Sequence, residues 1–596
     1  MMSKTSPQFK QTGWDLSDVI AAPAGEPLAM LTAELETTVS AIESMRPMLS
    51  DDISTADFNH ALALSEQLAT IISRLGSYAS LWFSEDTQNQ DALAFQGQIE
   101  QVTTEAQNRA LFLPIWWKTM NDSPAARLMA SAPVGLRYYL KQQRKARTHV
   151  LAERDEQIIN IKDMNGGNAL TTIYSMLTNK YKFKLFADGE ERELTRDALM
   201  TYVRKVDPEL RAQAYKELYR VYADDGLVLA QVYKHLVRDW HEEQVKLRGY
   251  SDPIAVRNLR NDIPNEVTKT LLRVCRKNAP VFQRWMRVKA KMMKMDKLRR
   301  YDIYAPLSRT ETRHTYVEAA DMVLDTFENF SPQVAAAARR VFEDNHIDSE
   351  IRVGKRSGAF CASVLPEVTP YVLLNYTGDI RDVATLAHEL GHAIHSIMAE
   401  KRSIFTFHST LPLAETASTF SEMLLTERLL ADNPDAAVRR DLIANTLDDN
   451  YATIMRQAYF TLFEQQAHTM IRNDASIDEL NRAYMENLEE QFGDSVELSE
   501  EFQWEWVSIP HIFYSPFYCY AYSFGQLLVL AMYQRYREQG PDFIPSYLNI
   551  LSCGASQSPD YILSKAGIDI NAPTFWQGGF DYISTLIDDL ELDLNQ

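Results

Sequence analysis

Cysteine is scarce in this chain: Cys275, Cys361, Cys519 and Cys553 are the only four in 596 residues, and no two form a C-x-x-C pair. That spacing argues against a disulfide framework and for reduced thiols in a reducing compartment. Positive charge is also in short supply. The 61 Lys and Arg are outnumbered by 81 Asp and Glu, for a formal charge of -20, which argues against nucleic acid or an anionic membrane surface as a standing partner. Long apolar runs are missing. The longest near the C-terminus, Leu527 to Met532, is far short of the roughly 20 residues a membrane span needs, so no transmembrane segment is expected. Met1 to Trp14 is polar and has no apolar core followed by a small-residue cleavage site. No secretory signal is therefore expected, and the cytoplasm is the expected location. There is no self-similarity at periods of roughly 20 to 50 residues and no low-complexity tract.

What is present is helical periodicity over a length that exceeds one core, which implies more than one lobe. Leu28, Leu31, Leu35, Val39, Ile42 and Met45 keep helical spacing, and after a polar break Phe58, Leu62, Leu68, Ile71, Ile72 and Leu75 repeat it. A different texture appears at Tyr181 to Leu194, where Lys182 to Phe186 alternates and Asp188-Gly189 offers a tight turn, the pattern of a hairpin. Asn165-Gly166-Gly167-Asn168 reads as a loop. A boundary near residue 200 follows, with a helical N-terminal lobe over 1–200 and a second lobe over 201–596 that holds the motifs considered next. Helical patterns resume at Val203 to Lys246 and Glu266 to Met295, with faces that meet solvent. Between Ile351 and Tyr376, Gly354, Gly358 and Pro366 punctuate the chain, and Tyr371 to Tyr376 is short, apolar and β-prone. A small sheet is expected directly before the next helix.

That helix carries His388-Glu389-Leu390-Gly391-His392. Residues four apart on a helix differ by about 40° in direction and roughly 6 Å in height, so two imidazoles can converge on one ion. Glu389 lies about 100° round from His388, placed to hold the attacking water rather than the ion. The flanks support a helix. Asp379 is a candidate N-cap with Asp382 in a capping-box position. Val383, Leu386, Ala387, Leu390, Ile394, Ile397 and Met398 form one stripe, and His388, His392 and His395 another. Gly391 costs about 1 kcal/mol relative to alanine in a helix interior, so it should have a packing or functional reason. The bland alternative is a histidine-rich solvated helix.

A catalytic zinc site usually takes three protein ligands. His395 lies about 10 Å along the axis from His388, too far for bonds of about 2 Å to a shared ion, and reads as packing or support; His408 is a loop residue with no assigned role. Downstream, Pro412 starts a helical stretch through Glu422. Glu415 and Glu422 share a face there, but the helix advances about 10 Å between them. Glu415 is read as the third ligand, and Glu422 as the carboxylate that orients a ligand histidine through its second ring nitrogen.

Near the C-terminus, His511, Tyr514, Phe517, Tyr518, Tyr520 and Tyr522 cluster. Aromatics at that density are as readily core as catalytic. A histidine and a tyrosine hydroxyl can also donate hydrogen bonds to an oxyanion. The strand at Tyr371 to Tyr376 likewise has two uses, as core or as an edge on which an extended peptide adds main-chain hydrogen bonds.

Taken together, His388-Glu389-Leu390-Gly391-His392, the following Glu415, the loop Gly354-Lys355-Arg356-Ser357-Gly358-Ala359-Phe360 and a late His511 with clustered tyrosines resemble oligoendopeptidase F, a relative of thimet oligopeptidase and oligopeptidase A among zinc peptidases. The resemblance covers roughly residues 200 to 585 by motif, more loosely the N-terminal part. It implies a mainly α, elongated, two-lobed zincin fold with a small β-sheet beside the HExxH helix and a deep central channel. It implies one Zn2+ per chain on His388, His392 and Glu415, Glu389 as catalytic base, and His511 with Tyr518 and Tyr520 at the oxyanion. Tyr514, Gly358, Tyr371 and Leu373 would meet a short peptide substrate. The tyrosine spacing departs by a few residues from that of thimet oligopeptidase. A zinc carboxypeptidase or dipeptidase shares this metal chemistry, and a non-catalytic peptide-binding module would keep the channel, although such a module has no need of Glu389. Nothing in the sequence assigns an oligomeric state.

Overall fold

The computed structural model describes residues 9–307, 313–433 and 435–594. The first eight residues of the segment read for a secretory signal lie outside them. The described chain is mainly helical. Its strands form three small sheets: a hairpin of β1 (Phe183–Ala187) and β2 (Glu190–Leu194), a two-residue parallel ladder between Leu298–Arg299 and Val496–Glu497, and a three-stranded sheet of β3 (Ile347–Asp348), β4 (Phe360–Ala362) and β5 (Tyr371–Leu373). Among the described residues no helix is long and apolar enough to cross a membrane.

The chain divides into two compact units, each assembled from three stretches. One holds Met1–Val150, Glu311–Ala431 and Arg535–Ile568; the other holds Leu151–Thr310, Asp432–Gln534 and Asp569–Gln596. A single boundary near residue 200 does not describe this division. The hairpin expected in the N-terminal lobe belongs to the second unit because its inner face, Phe183, Leu185 and Ala187, is buried beside the helix Pro208–Asp224. Glu217 on that helix accepts a hydrogen bond from the Lys184 amide at 2.8 Å. Asp188 and Gly189 close the hairpin with φ of 55° and 84°, the two positive angles that a type I′ turn needs.

In the first unit, α1 (Glu26–Met45) and α2 (Thr55–Glu85) follow the apolar periodicity, and a further helix, α3 (Gln90–Ala110), comes after them. Ser54 caps α2 by accepting from the Asp57 amide at 3.0 Å, and Asn89 caps α3 by accepting from the Asp91 and Ala92 amides. Leu35, Val39 and Ile42 of α1 and Leu68, Ile71 and Leu75 of α2 share one core with Tyr371 and Leu373 of β5. In the sheet, β5 lies in the middle, parallel to β3 and antiparallel to β4. Helix α4 (Ile380–Met398) packs on β4 and β5.

Candidate active site

Helix α4 begins where three amides converge on one carboxylate. Asp382 Oδ2 accepts from the backbone of Thr377, Gly378 and Asp379 at 2.7, 2.9 and 3.2 Å, which fixes the first turn. Val383, Leu386, Ala387, Leu390 and Ile394 are buried, leaving His388 and His392 half-buried on another face with ring centroids 4.8 Å apart and planes at 81°. Gly391 has a packing reason. A β-carbon there would lie 2.5 Å from Ser418 Cα and 2.6 Å from the Ala417 carbonyl oxygen, so only glycine lets the next segment approach α4 this closely.

That segment is not the continuous helix expected from Pro412 to Glu422. A short helix α5 (Leu411–Ala414) ends, Glu415 to Ala417 form a turn, and α6 (Ser418–Asp432) starts again. The break falls where the backbone meets Gly391. Even so, Glu415 Oε2 lies 3.4 Å from both His388 Nε2 and His392 Nε2, and the ligand atoms of the three residues all lie within 4.8 Å of one another. His388 turns its other nitrogen, Nδ1, to Glu422 Oε1. Ser418, which sequence reasoning passed over, donates from Oγ to Glu415 Oε2 at 2.7 Å; its place one helical turn after Glu415 is the signal that could have found it.

Two imidazole nitrogens and a carboxylate oxygen, with a carboxylate holding His388 Nδ1 and a hydroxyl holding Glu415, form a donor set suited to zinc. The local field agrees with a cation site. Burial opposes charge on His388, yet Glu422, Glu415 and Glu389 outweigh it and raise its pKa to about 9. Burial pushes the pKa of Glu389 up to about 7, with Glu415 and Glu422 adding to the effect and His388 opposing it. A carboxyl poised there can take and return a proton at neutral pH. His395 is buried, its pKa pushed down to about 4 by burial, and stands apart from the converging group.

Tyr371 and Leu373 do not line a peptide edge. Both are fully buried in the middle strand, whose two sides are taken by β3 and β4, and the Tyr371 hydroxyl donates to the Asp15 carbonyl at 3.0 Å. The edge belongs to β4, which pairs with β5 alone among the described residues. Its Cys361 feels the Glu389 carboxylate, which adds to burial in raising the thiol pKa. Gly358, just before β4, is exposed at φ 80°, and its carbonyl accepts from Asn375 Nδ2 at 2.8 Å.

The aromatic cluster lies in the second unit. His511 and Tyr518 are half-buried and stacked, 5.8 Å apart at 10°. Burial lowers the His511 pKa, which keeps the ring neutral. Tyr520 is core instead: it is fully buried, and its hydroxyl accepts from Asn261 Nδ2 at 2.8 Å. Tyr514 is exposed, its hydroxyl 2.6 Å from Ser175 Oγ. The partner that the geometry adds is Tyr522, whose hydroxyl lies 3.4 Å from His511 Nε2 and whose ring packs edge-on to Tyr518 at 5.3 Å.

Known proteins agree with this architecture. The sequence profile of peptidase family M3 matches residues 201–582. Oligopeptidase PepF of Bacillus subtilis is 25% identical over 588 residues, 97% of this chain and 86% of that protein. Group B oligopeptidase PepB of Streptococcus agalactiae is 28% identical over 448 residues, 74% of each chain. The crystal structure of oligoendopeptidase-F from Enterococcus faecium shares the fold, with a TM-score of 0.73 at 22% identity over 95% of this chain and 99% of that one. The family match spans more than half the chain and includes the helix and turn that bring His388, His392 and Glu415 together, and the chain is accordingly a peptidase of family M3.

Proposed function

We propose that this peptidase is a zinc-dependent endopeptidase that cuts internal bonds of short peptides in the cytoplasm. The observation that carries the reading is the convergence of His388, His392 and Glu415 around one point, with Glu389 next to His388 on the same helix and its pKa near 7. Those three residues would hold one Zn2+, which when bound polarises the scissile carbonyl and makes the attacking water easier to deprotonate. Glu389 takes the proton from that water as its oxygen bonds to the carbonyl carbon. It then gives the proton to the amide nitrogen as the carbon–nitrogen bond breaks. Glu422 keeps a proton on His388 Nδ1, so that Nε2 presents its lone pair.

The unpaired side of β4 offers main-chain hydrogen bonds to an extended peptide, which gives binding with little dependence on side chains, and Gly358 stands at the start of that edge. His511 and Tyr518 are assigned as donors to the oxyanion. The names of the relatives, oligopeptidase and oligoendopeptidase, support short peptides as substrates. Four free cysteines and the charge of -20 support the cytoplasm.

The test is Glu389→Gln. Elemental analysis should find one zinc per chain, while hydrolysis of an end-blocked, internally quenched peptide falls about 100-fold or more. A wild-type rate would remove Glu389 as the base. Cleavage confined to free ends would point to a carboxypeptidase or dipeptidase, and binding without cleavage by the zinc-loaded wild type would point to a binding module.

A further inference from the structure

Phe517 sits between His511 and the helix Tyr520–Gln539 with φ of 57°. Six non-glycine residues among those described have positive φ, and the other five are Asp188, Asp262, Lys294, Asn345 and Asp474. Aspartate and asparagine tolerate that region; a bulky ring does so only under constraint, and such outliers gather at functional sites. Phe517 is also buried, so this is no solvent-facing turn.

The constraint comes from buried polar groups on two other helices of the same unit. Glu464, fully buried on the helix Arg456–Arg472, accepts from the Phe517 amide at 2.8 Å. Arg257, on the helix Ala255–Arg260, donates to Ser515 Oγ at 2.7 Å and to the Pro516 carbonyl at 3.2 Å. The Phe517 ring packs on His468, one turn beyond Glu464, at 4.6 Å. Among the described residues Glu464 Oε2 and both ring nitrogens of His468 have no hydrogen-bond partner, His468 Nε2 lying 3.9 Å from Glu464 Oε1, a costly arrangement that packing alone would avoid with apolar side chains. Burial raises the Glu464 carboxyl to about 8, so at neutral pH it is a mostly uncharged acceptor. The loop so held delivers Tyr518 onto His511.

We infer that Glu464 and Arg257 are positioning residues which hold Ser515–Phe517 in its strained conformation and thereby fix Tyr518 against His511, an inference that rests on the oxyanion role proposed for those two residues. Glu464→Leu removes the acceptor for the Phe517 amide and should lower kcat about tenfold or more on the quenched peptide, with KM within about twofold. Glu464→Gln keeps a neutral acceptor and should restore most of kcat. In a His511→Ala background, Glu464→Leu should lower kcat by no more than about twofold further, because the geometry it maintains has lost its purpose. If Glu464→Leu does not fold, Arg257→Gln, which frees Ser515 and Pro516 only, should give the same kcat loss and the same coupling to His511. A slow His511→Ala enzyme alongside a wild-type kcat for the folded position-464 or position-257 variant overturns the inference alone. Equal losses with and without His511 also overturn it. A wild-type rate for His511→Ala overturns both the inference and the oxyanion role beneath it.

Discussion

Ser418 does for Glu415 what Glu422 does for His388: each fixes the orientation of a side chain proposed to bind the ion. Supporting partners of this kind are worth about 10- to 100-fold in metal affinity. Ser418→Ala should therefore weaken zinc binding by that order in a chelator competition, and an unchanged affinity would reduce the hydroxyl to a packing group. Glu422→Gln, which keeps an acceptor and loses the charge, should weaken it less than Glu422→Ala. At this scale much was legible. His388, Glu389 and His392 declare themselves by spacing, and Glu415 and Glu422 follow from the need for a third ligand and an orienting carboxylate. Tyr520 was not legible. It differs from Tyr518 and Tyr522 only in the direction its ring points, and that direction is set by Asn261, more than two hundred residues upstream.

At the scale of elements, the same substitution should have opposite effects on two helices. Gly76 in α2 is exposed, and nothing lies within 4 Å of a β-carbon there, so Gly76→Ala should stabilise by up to about 1 kcal/mol through helix propensity. Gly391→Ala gains the same propensity but drives a methyl into the Ala417–Ser418 backbone. Overpacking costs about 1 to 3 kcal/mol, so it should lower Tm, and by moving the turn that carries Glu415 it should also weaken zinc binding. A raised Tm together with unchanged zinc affinity for Gly391→Ala would mean the approach is not tight. The sequence flags Gly391 as costly but cannot say what approaches it. For the same reason the break at Glu415 to Ala417 could not be read from a stretch in which Glu415 and Ala417 are good helix formers and only Thr416 is a poor one. Nor could the place of β5 in the sheet: a short apolar strand reads alike in the middle and at an edge, and the pairing partners Ile347–Asp348 and Phe360–Ala362 decide.

At the scale of the molecule, each unit is assembled from three separate stretches of the sequence because contacts distant in sequence, rather than the loop-like Asn165–Asn168 pattern, decide what packs together. Arg211 and Asp302 illustrate this within the second unit. Both are fully buried, and Arg211 donates from Nε and Nη2 to Asp302 Oδ1 at 3.1 and 2.8 Å, tying the helix Pro208–Asp224 to a stretch 91 residues away. Removing one partner of a buried pair leaves an uncompensated charge and costs about 3 to 5 kcal/mol, so Asp302→Asn should lose about that much in urea unfolding at neutral pH. Burial raises the Asp302 pKa, but Arg299 and Arg211 outweigh it and hold the carboxyl below 3.8. A depressed carboxyl contributes stability above its unfolded pKa and loses it as pH falls through the folded value. The gap between wild type and Asp302→Asn should therefore be fully present above pH 3.8 and narrow below it. A gap of equal size at neutral pH and at about pH 3 would show that the pairing charge of Asp302 is not what holds these segments together.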